Sequence, residues 1–84
     1  MTYAIEILRS AQKQLAKINR EDQAMIISAI RSLANNPRPV GCKKLSGRPA
    51  WRLRVGIYRI IYEIHDDRLL VLVVSVGHRK EVYR

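Results

Sequence analysis

Residues 51–64 read WRLRVGIYRIIYEI, and this stretch decides the fold because apolar and charged residues alternate up to a central glycine and a mainly apolar run follows it. A period of two is typical of strands that bury one face. Residues 50–55 are therefore predicted as one strand and residues 57–64 as a second, with the break at Gly56. The stretch indicates two strands of one sheet, each with a face turned away from the core.

The sequence on either side of this stretch supplies the rest of the sheet. Residues 68–76 are almost wholly apolar, which predicts a central strand buried on both faces. The turn before it is expected at residues 65–67. Residues 36–50 contain three prolines and two glycines and are predicted as a loop, with a brief ordered stretch at residues 43–45.

The N-terminal half predicts one strand and two helices. Residues 2–8 alternate in the manner of a strand. Ser10 is expected to cap a helix over residues 11–18, and Asn19 to cap a second helix that ends at residues 35–37. The predicted order is β-α-α-β-β-β, an α+β fold with a helical hairpin packed on one face of a small, mainly antiparallel sheet.

Composition limits the functional classes. The 84 residues are expected to form a single domain over residues 1–84, with a net charge of +9. So large a charge on a small body favours a polyanionic partner, either a nucleic acid or an acidic protein. The single cysteine, Cys42, excludes an intramolecular disulfide and fits a reducing cytoplasm. No apolar run approaches the roughly 20 residues of a membrane span, so no membrane partner is expected.

Most of the positive charge belongs to the predicted sheet. Residues 43–84 carry ten basic and four acidic side chains, a net +6. Arg52 and Arg54 point to one side of their strand, roughly 7 Å apart. They form either an ordinary solvated face or a phosphate site. Arg59 lies in an otherwise apolar run and needs a partner, either an ion pair with Glu63 or a concave wet face.

Residues 77–84 read GHRKEVYR and end the chain with a dense group of polar side chains. His78 carries the imidazole, which titrates near neutrality, but a histidine between glycine and arginine also suits an ordinary loop. Tyr83 has two interpretations as well. It either anchors the tail by packing or takes part in chemistry.

Three segments together resemble the RelE/ParE superfamily of bacterial toxin–antitoxin toxins: KLSG at residues 44–47, the stretch at 51–64, and VSVGHRKEVY at 74–83. RelE-type toxins are mRNA endonucleases that enter the ribosomal A site and cut the message there, whereas ParE-type toxins share the fold and poison DNA gyrase. The resemblance favours the RelE branch through the arginine cluster and Tyr83. Two alternatives stay open, a ParE-like gyrase inhibitor and a non-catalytic module that binds RNA or the ribosome.

The resemblance also implies roles for individual residues. The catalytic set is Arg52, Arg54, Arg59, Arg79 and Tyr83, and the further RNA contacts are Lys43, Lys44, Arg48, His78, Lys80 and Arg84. The RNA 2′-OH is expected to act as the nucleophile while guanidinium groups stabilise the phosphorane, so no metal or other cofactor is expected.

One departure from the family affects the choice of general base. RelE members often carry lysines where this chain has Arg52 and Arg54, and an arginine does not lose its proton in proteins. Tyr83 is therefore the expected base, because nearby cations favour the phenolate. Arg79 is expected to stabilise charge or donate a proton, with His78 as an alternative acid. Tyr58 or Tyr62 is a candidate for stacking on a base.

The resemblance implies three partners. A cognate antitoxin, expected to be acidic and encoded by the adjacent gene, suits the net charge of +9. The ribosome with mRNA in its A site is the expected target. Promoter DNA is expected to be bound only through the antitoxin complex.

Overall fold

The computed structural model describes residues 2–78, which form two helices on a five-stranded sheet. In chain order the elements are β1 (Ala4–Ile7), α1 (Arg9–Ala16), α2 (Arg20–Ser32), β2 (Lys43–Lys44), β3 (Trp51–Val55), β4 (Tyr58–His65), a 3₁₀ turn (Asp66–Arg68) and β5 (Leu70–His78). The predicted α+β order is confirmed. The brief ordered stretch expected in the long loop is a short strand, β2, which brings the sheet to five strands.

The strands lie side by side in the order β1-β5-β4-β3-β2. β1 runs parallel to β5, and the other neighbours are antiparallel. The β3–β4 turn contains Gly56 with φ +60°, a left-handed conformation that a glycine adopts without strain. The β4–β5 ladder is interrupted by a β-bulge, where Ile61 is opposite Ser75 but Tyr62 is opposite Val73.

The two helices begin in different ways. Asn19 caps α2 as predicted, and its side-chain oxygen accepts from the Asp22 N–H at 2.9 Å. The prediction that Ser10 caps α1 is wrong. The helix begins at Arg9 and so includes Ser10, and Leu8 occupies the N-cap position. The chain enters α1 directly from β1, and the Gln12 side-chain amide donates back to the Ile7 carbonyl at 2.8 Å.

The core lies between the helices and one face of the sheet. Ile60 and Tyr62 of β4 and Val71, Val73 and Val76 of β5 are at most 1% exposed. They pack with side chains of the two helices and the residue that follows α2: Ala11, Ile26, Ile30 and Leu33. The expectation that the central strand is buried on both faces is wrong, because its remaining side chains are only partly buried. The helices cover a single face. On the other face β4 buries Arg59 and Ile61, whereas the side chains of β5 there are only partly buried.

An ionic cluster joins the long loop to the β4–β5 turn. The Arg38 guanidinium lies 2.8 Å from the Asp66 carboxylate and 5.3 Å from the centre of the Trp51 ring. The Tyr3 hydroxyl donates to the same carboxylate. The hydrogen bond from Arg38 is the largest cause that lowers the pKa of Asp66, and the bond from Tyr3 is the next largest. The same bond to Asp66 raises the pKa of Tyr3. The cluster therefore holds Asp66 in its charged form.

Asp66→Asn is expected to lower the melting temperature at pH 7 by no more than a few degrees, because the cluster is exposed to solvent. The pKa of Asp66 is lower in the folded than in the unfolded protein. The stabilisation by this carboxylate is therefore present above the unfolded pKa of about 3.9 and is lost as the pH falls through the folded pKa. The melting temperatures of the wild type and of Asp66→Asn, measured at pH 7 and at about pH 2.5, check this prediction. Asp67→Asn is the matched control, because Asp67 lies 4.0 Å from Arg68 in a more exposed pair. An equal difference in melting temperature at both pH values would contradict the assignment.

Candidate functional site

The strand register places three of the predicted arginines on the sheet face opposite the helices. Residues directly opposite each other in an antiparallel pair share a face. Arg54 is opposite Arg59, and Arg52 is opposite Ile61 on one side and Lys43 on the other. Arg52 and Arg54 lie on one side of β3, as the alternation predicted, and Arg59 lies on the same face of the sheet. We call Lys43, Arg52, Arg54 and Arg59 the arginine face.

The four cations of the arginine face differ in exposure. Lys43 and Arg54 are exposed, Arg52 is half-buried, and Arg59 is 2% exposed. Glu63 does not form the ion pair with Arg59 that the sequence left open, because its carboxylate lies 2.9 Å from the His65 ring instead. Arg54 is therefore the arginine of this face that is best placed to touch a ligand, and Arg59 is an enclosed charge beside it.

Two like-charged pairs face each other across neighbouring strands, Lys43 with Arg52 and Arg54 with Arg59. Like charges directly opposite in a sheet are destabilising. A bound polyanion would reverse this repulsion, and guanidinium groups bind phosphate oxygens in bidentate geometry. The arrangement is suited to holding a phosphodiester and to stabilising extra negative charge on it.

Gly77 is a residue of this site that the sequence analysis did not identify. It lies opposite Arg59 on β5, and a Cβ built on it would meet no atom within 4 Å. The space beside Arg59 is therefore open on the β5 side. A glycine inside a strand is a signal that could have been used, since it often marks close approach of a ligand.

Other predicted RNA contacts lie away from the arginine face. Lys44 is opposite Trp51, and its ammonium donates to the Arg48 carbonyl in the loop at 3.2 Å. His78 is opposite Tyr58 on the helix side of the sheet, with the two ring centres 6.1 Å apart. The remaining predicted residues lie outside the described residues: Arg79, Lys80, Tyr83 and Arg84.

The two candidate stacking tyrosines both lie on the helix side. Tyr62 is fully buried, and its hydroxyl donates to the Pro37 carbonyl at 2.8 Å. Burial, followed by the nearby Cys42 thiol, raises the pKa of Tyr62 well above its usual range. Tyr58 donates to the Asp22 carboxylate at 2.9 Å, and this bond raises its pKa. Neither tyrosine is placed to act as a base on the arginine face.

A cavity of about 650 Å³ opens between α1, the α1–α2 turn and the end of β5. Its polar lining comes from Gln14, Lys17, Asn19, Tyr58 and His78. Gln14 closes part of it by accepting from the Val76 N–H at 2.8 Å. The cavity lies mainly on the helix side, but Gly77, which is opposite Arg59, also lines it, so it reaches the strand end beside the arginine face.

Between residues 2 and 78, no three His, Cys, Asp or Glu side chains come together as metal ligands. No helix in this part of the chain has the length and apolarity needed to cross a membrane.

Comparisons with known proteins agree with the resemblance. Residues 5–83 match the family model of the ParE toxin of type II toxin–antitoxin system, parDE. The chain is 30% identical to Toxin RelG of Mycobacterium tuberculosis, covering 100% of this chain and 99% of the relative. It is also 30% identical to the mRNA interferase toxin RelE of Escherichia coli K12, covering 99% and 92%. Among solved structures it is similar to the toxin–antitoxin complex RelBE2 of M. tuberculosis, with a TM-score of 0.83, 26% identity, and coverage of 94% and 100%.

Proposed function

The chain belongs to the RelE/ParE superfamily of type II toxin–antitoxin toxins, on its RelE-like branch, and on this basis we propose that it is a ribosome-dependent mRNA endonuclease. The observation that carries the proposal is the cross-strand pair of Arg54 and Arg59 beside Arg52, on a face that the helices leave open. The relative in E. coli K12 that is named an mRNA interferase supports the choice of RNA as substrate.

The proposed reaction needs no nucleophile from the protein. The RNA 2′-oxygen attacks the adjacent phosphorus, the bond from phosphorus to the 5′ oxygen breaks, and the products are a 2′,3′-cyclic phosphate and a 5′-hydroxyl. The protein holds the reacting atoms in line and stabilises the negative charge of the phosphorane. Arg54 is assigned the direct contact with the phosphate because it is exposed, with Arg52 next to it. Arg59 adds a fixed positive charge from its enclosed position.

Two proton transfers complete the reaction. Tyr83 is assigned as the base that removes the 2′-OH proton, since the arginines keep their protons and Tyr58 and Tyr62 are engaged on the helix side. Arg79 is assigned to stabilise the leaving 5′ oxygen, which takes its proton from water. His78 is a weaker candidate acid, because its register places it on the opposite side of the sheet from Arg59.

The proposed partners follow from the same family. A cognate antitoxin is proposed because the similar M. tuberculosis structure is a toxin–antitoxin complex. An acidic antitoxin would complement the net charge of +9 and the arginine face. The ribosome with mRNA in its A site is the proposed target, in the cytoplasm, and promoter DNA is bound through the antitoxin.

Expression without the antitoxin is expected to stop incorporation of labelled methionine before any change in thymidine incorporation. Primer extension on a translated message should show new 5′ ends only when ribosomes are present, and the upstream fragments should carry a cyclic phosphate. Normal translation with a block in gyrase supercoiling would instead indicate ParE-like action. Translation arrest without cut mRNA would indicate a module that only binds RNA or the ribosome.

A further inference from the structure

Helix α1 carries a row of positive charge that the arginine face does not explain. Arg9, Lys13 and Lys17 are four residues apart and all exposed. At 3.6 residues per turn this spacing places them on one side of the helix. Ala11, which is fully buried, and Leu15, which packs on the core, lie on the other side. We call Arg9, Lys13 and Lys17 the basic row.

The stability of the helix does not account for the basic row. No acidic residue occurs between Glu6 and Glu21, so none balances the row within α1. Like charges four residues apart on a helix are destabilising. Lys13 and Lys17 lie near the C-terminal end, where the helix dipole favours cations, but Arg9 is at the N-terminal end, where the dipole disfavours them. Arg9 therefore has an unfavourable position in the free protein.

The composition of the exposed side indicates the kind of ligand. Apart from the basic row, it presents Ser10, Gln12 and Ala16. Leu8 is 40% exposed at the helix start but shares the helical face of Ala11 and Leu15. The cores of protein–protein interfaces are rich in aromatic and apolar side chains and poor in lysine. Contacts to nucleic-acid phosphates come mainly from Arg and Lys, with Ser and Gln.

We propose that the basic row of α1 is a second RNA-binding surface, which contacts the phosphate backbone of structured RNA and is separate from the arginine face. The choice of RNA rests on the proposed function. Helix α1 packs on the core side of the sheet through Ala11 and Leu15, and Gln14 accepts a hydrogen bond from the Val76 N–H. A toxin built in this way holds the message on one side of its sheet and paired RNA on the other.

The test measures binding to a double-stranded RNA of about 20 base pairs, which is long enough to offer more than one turn of backbone. Arg9→Gln/Lys13→Gln is compared with Arg31→Gln/Arg68→Gln, which removes the same charge from exposed positions elsewhere. Arg31 and Arg68 lie near the other end of the sheet, where Tyr3 bonds to Ala34 and Ala4 bonds to Leu69. Arg9→Lys/Lys13→Arg keeps the charge and is expected to bind like the wild type.

The α1 variant is expected to reduce the slope of log affinity against log salt by about two, whereas the control leaves it nearly unchanged. The salt-dependent loss of affinity between 50 and 200 mM should then be about tenfold smaller for the α1 variant. Its melting temperature should not fall, because the unfavourable Arg9 charge has been removed. The proposal is overturned if the α1 variant and the Arg31→Gln/Arg68→Gln control give equal salt slopes. It is also overturned if the α1 variant keeps the wild-type salt slope for RNA and loses antitoxin binding instead. Cleavage of translated mRNA by the wild type is scored separately, so that failure of the endonuclease function and failure of this surface give different results.

Discussion

Tyr83→Phe is expected to lower ribosome-dependent mRNA cleavage at least about a hundredfold, while the fold and the antitoxin complex are retained. Phenylalanine keeps the ring, and with it any packing or stacking, but removes the oxygen that would accept the 2′-OH proton. General acid–base groups usually contribute about 10²- to 10⁴-fold to a rate. The neighbours in the sequence, Arg79, Lys80 and Arg84, provide the positive field that favours a phenolate. Single-turnover cleavage of a programmed ribosome, measured beside ribosome binding, checks the prediction.

Tyr58→Phe is the matched control for Tyr83→Phe. It also removes one hydroxyl, but that hydroxyl donates to Asp22 on the helix side of the sheet. Cleavage should stay near the wild-type rate, with a small decrease in melting temperature. If Tyr83→Phe cuts as fast as the wild type, the base is another group and the assignment of Tyr83 is wrong. If ribosome binding falls as much as cleavage, Tyr83 serves in binding rather than in proton transfer.

Arg54→Gln is expected to reduce cleavage by about 10²- to 10³-fold, the usual loss when one group that stabilises transition-state charge is removed. The effect on stability should be small, because Arg54 is exposed to solvent. Cleavage and thermal unfolding are measured on the same preparation. A loss of activity with a nearly unchanged melting temperature would assign Arg54 to the reaction rather than to the fold.

Arg54→Lys and Arg31→Gln are the controls for Arg54→Gln. Lysine keeps the charge but loses the bidentate geometry, so an intermediate rate is expected. Arg31 is an exposed arginine in the last turn of α2, and its loss should leave cleavage unchanged. If Arg54→Gln cuts at the wild-type rate, Arg54 is not a phosphate ligand. The half-buried Arg52 would then be the next candidate.

The sequence was sufficient for the order of elements because its patterns are local. Alternation in residues 51–55 and the apolar run after Gly56 predicted β3 and β4, and Asn19 predicted the start of α2. The start of α1 was missed because Ser10 is a good capping residue that the chain does not use as a cap. The pairing of Lys43 with Arg52 was not predictable, since it depends on a loop closing over several residues without a periodic pattern.

The candidate site could be predicted only in part. Alternation placed Arg52 and Arg54 on one face, but the near-complete burial of Arg59 depends on tertiary packing. His78 was expected among the RNA contacts because of the resemblance, and the predicted strand ended at residue 76, before it. The β-bulge changes which face each later residue occupies, and a bulge leaves little trace in an apolar sequence such as LVLVVSVGH.

The same bulge decides which residue of β5 lies opposite Arg59. In an uninterrupted ladder running on from Val73, the imidazole of His78 would lie on the side of Arg59, and Val76 would lie opposite Arg59. With the extra residue accommodated, Gly77 lies opposite Arg59 and His78 projects to the far side. A one-residue shift therefore exchanges a valine for a glycine beside the buried guanidinium of Arg59 and turns the imidazole of His78 to the helix side, where it meets Tyr58.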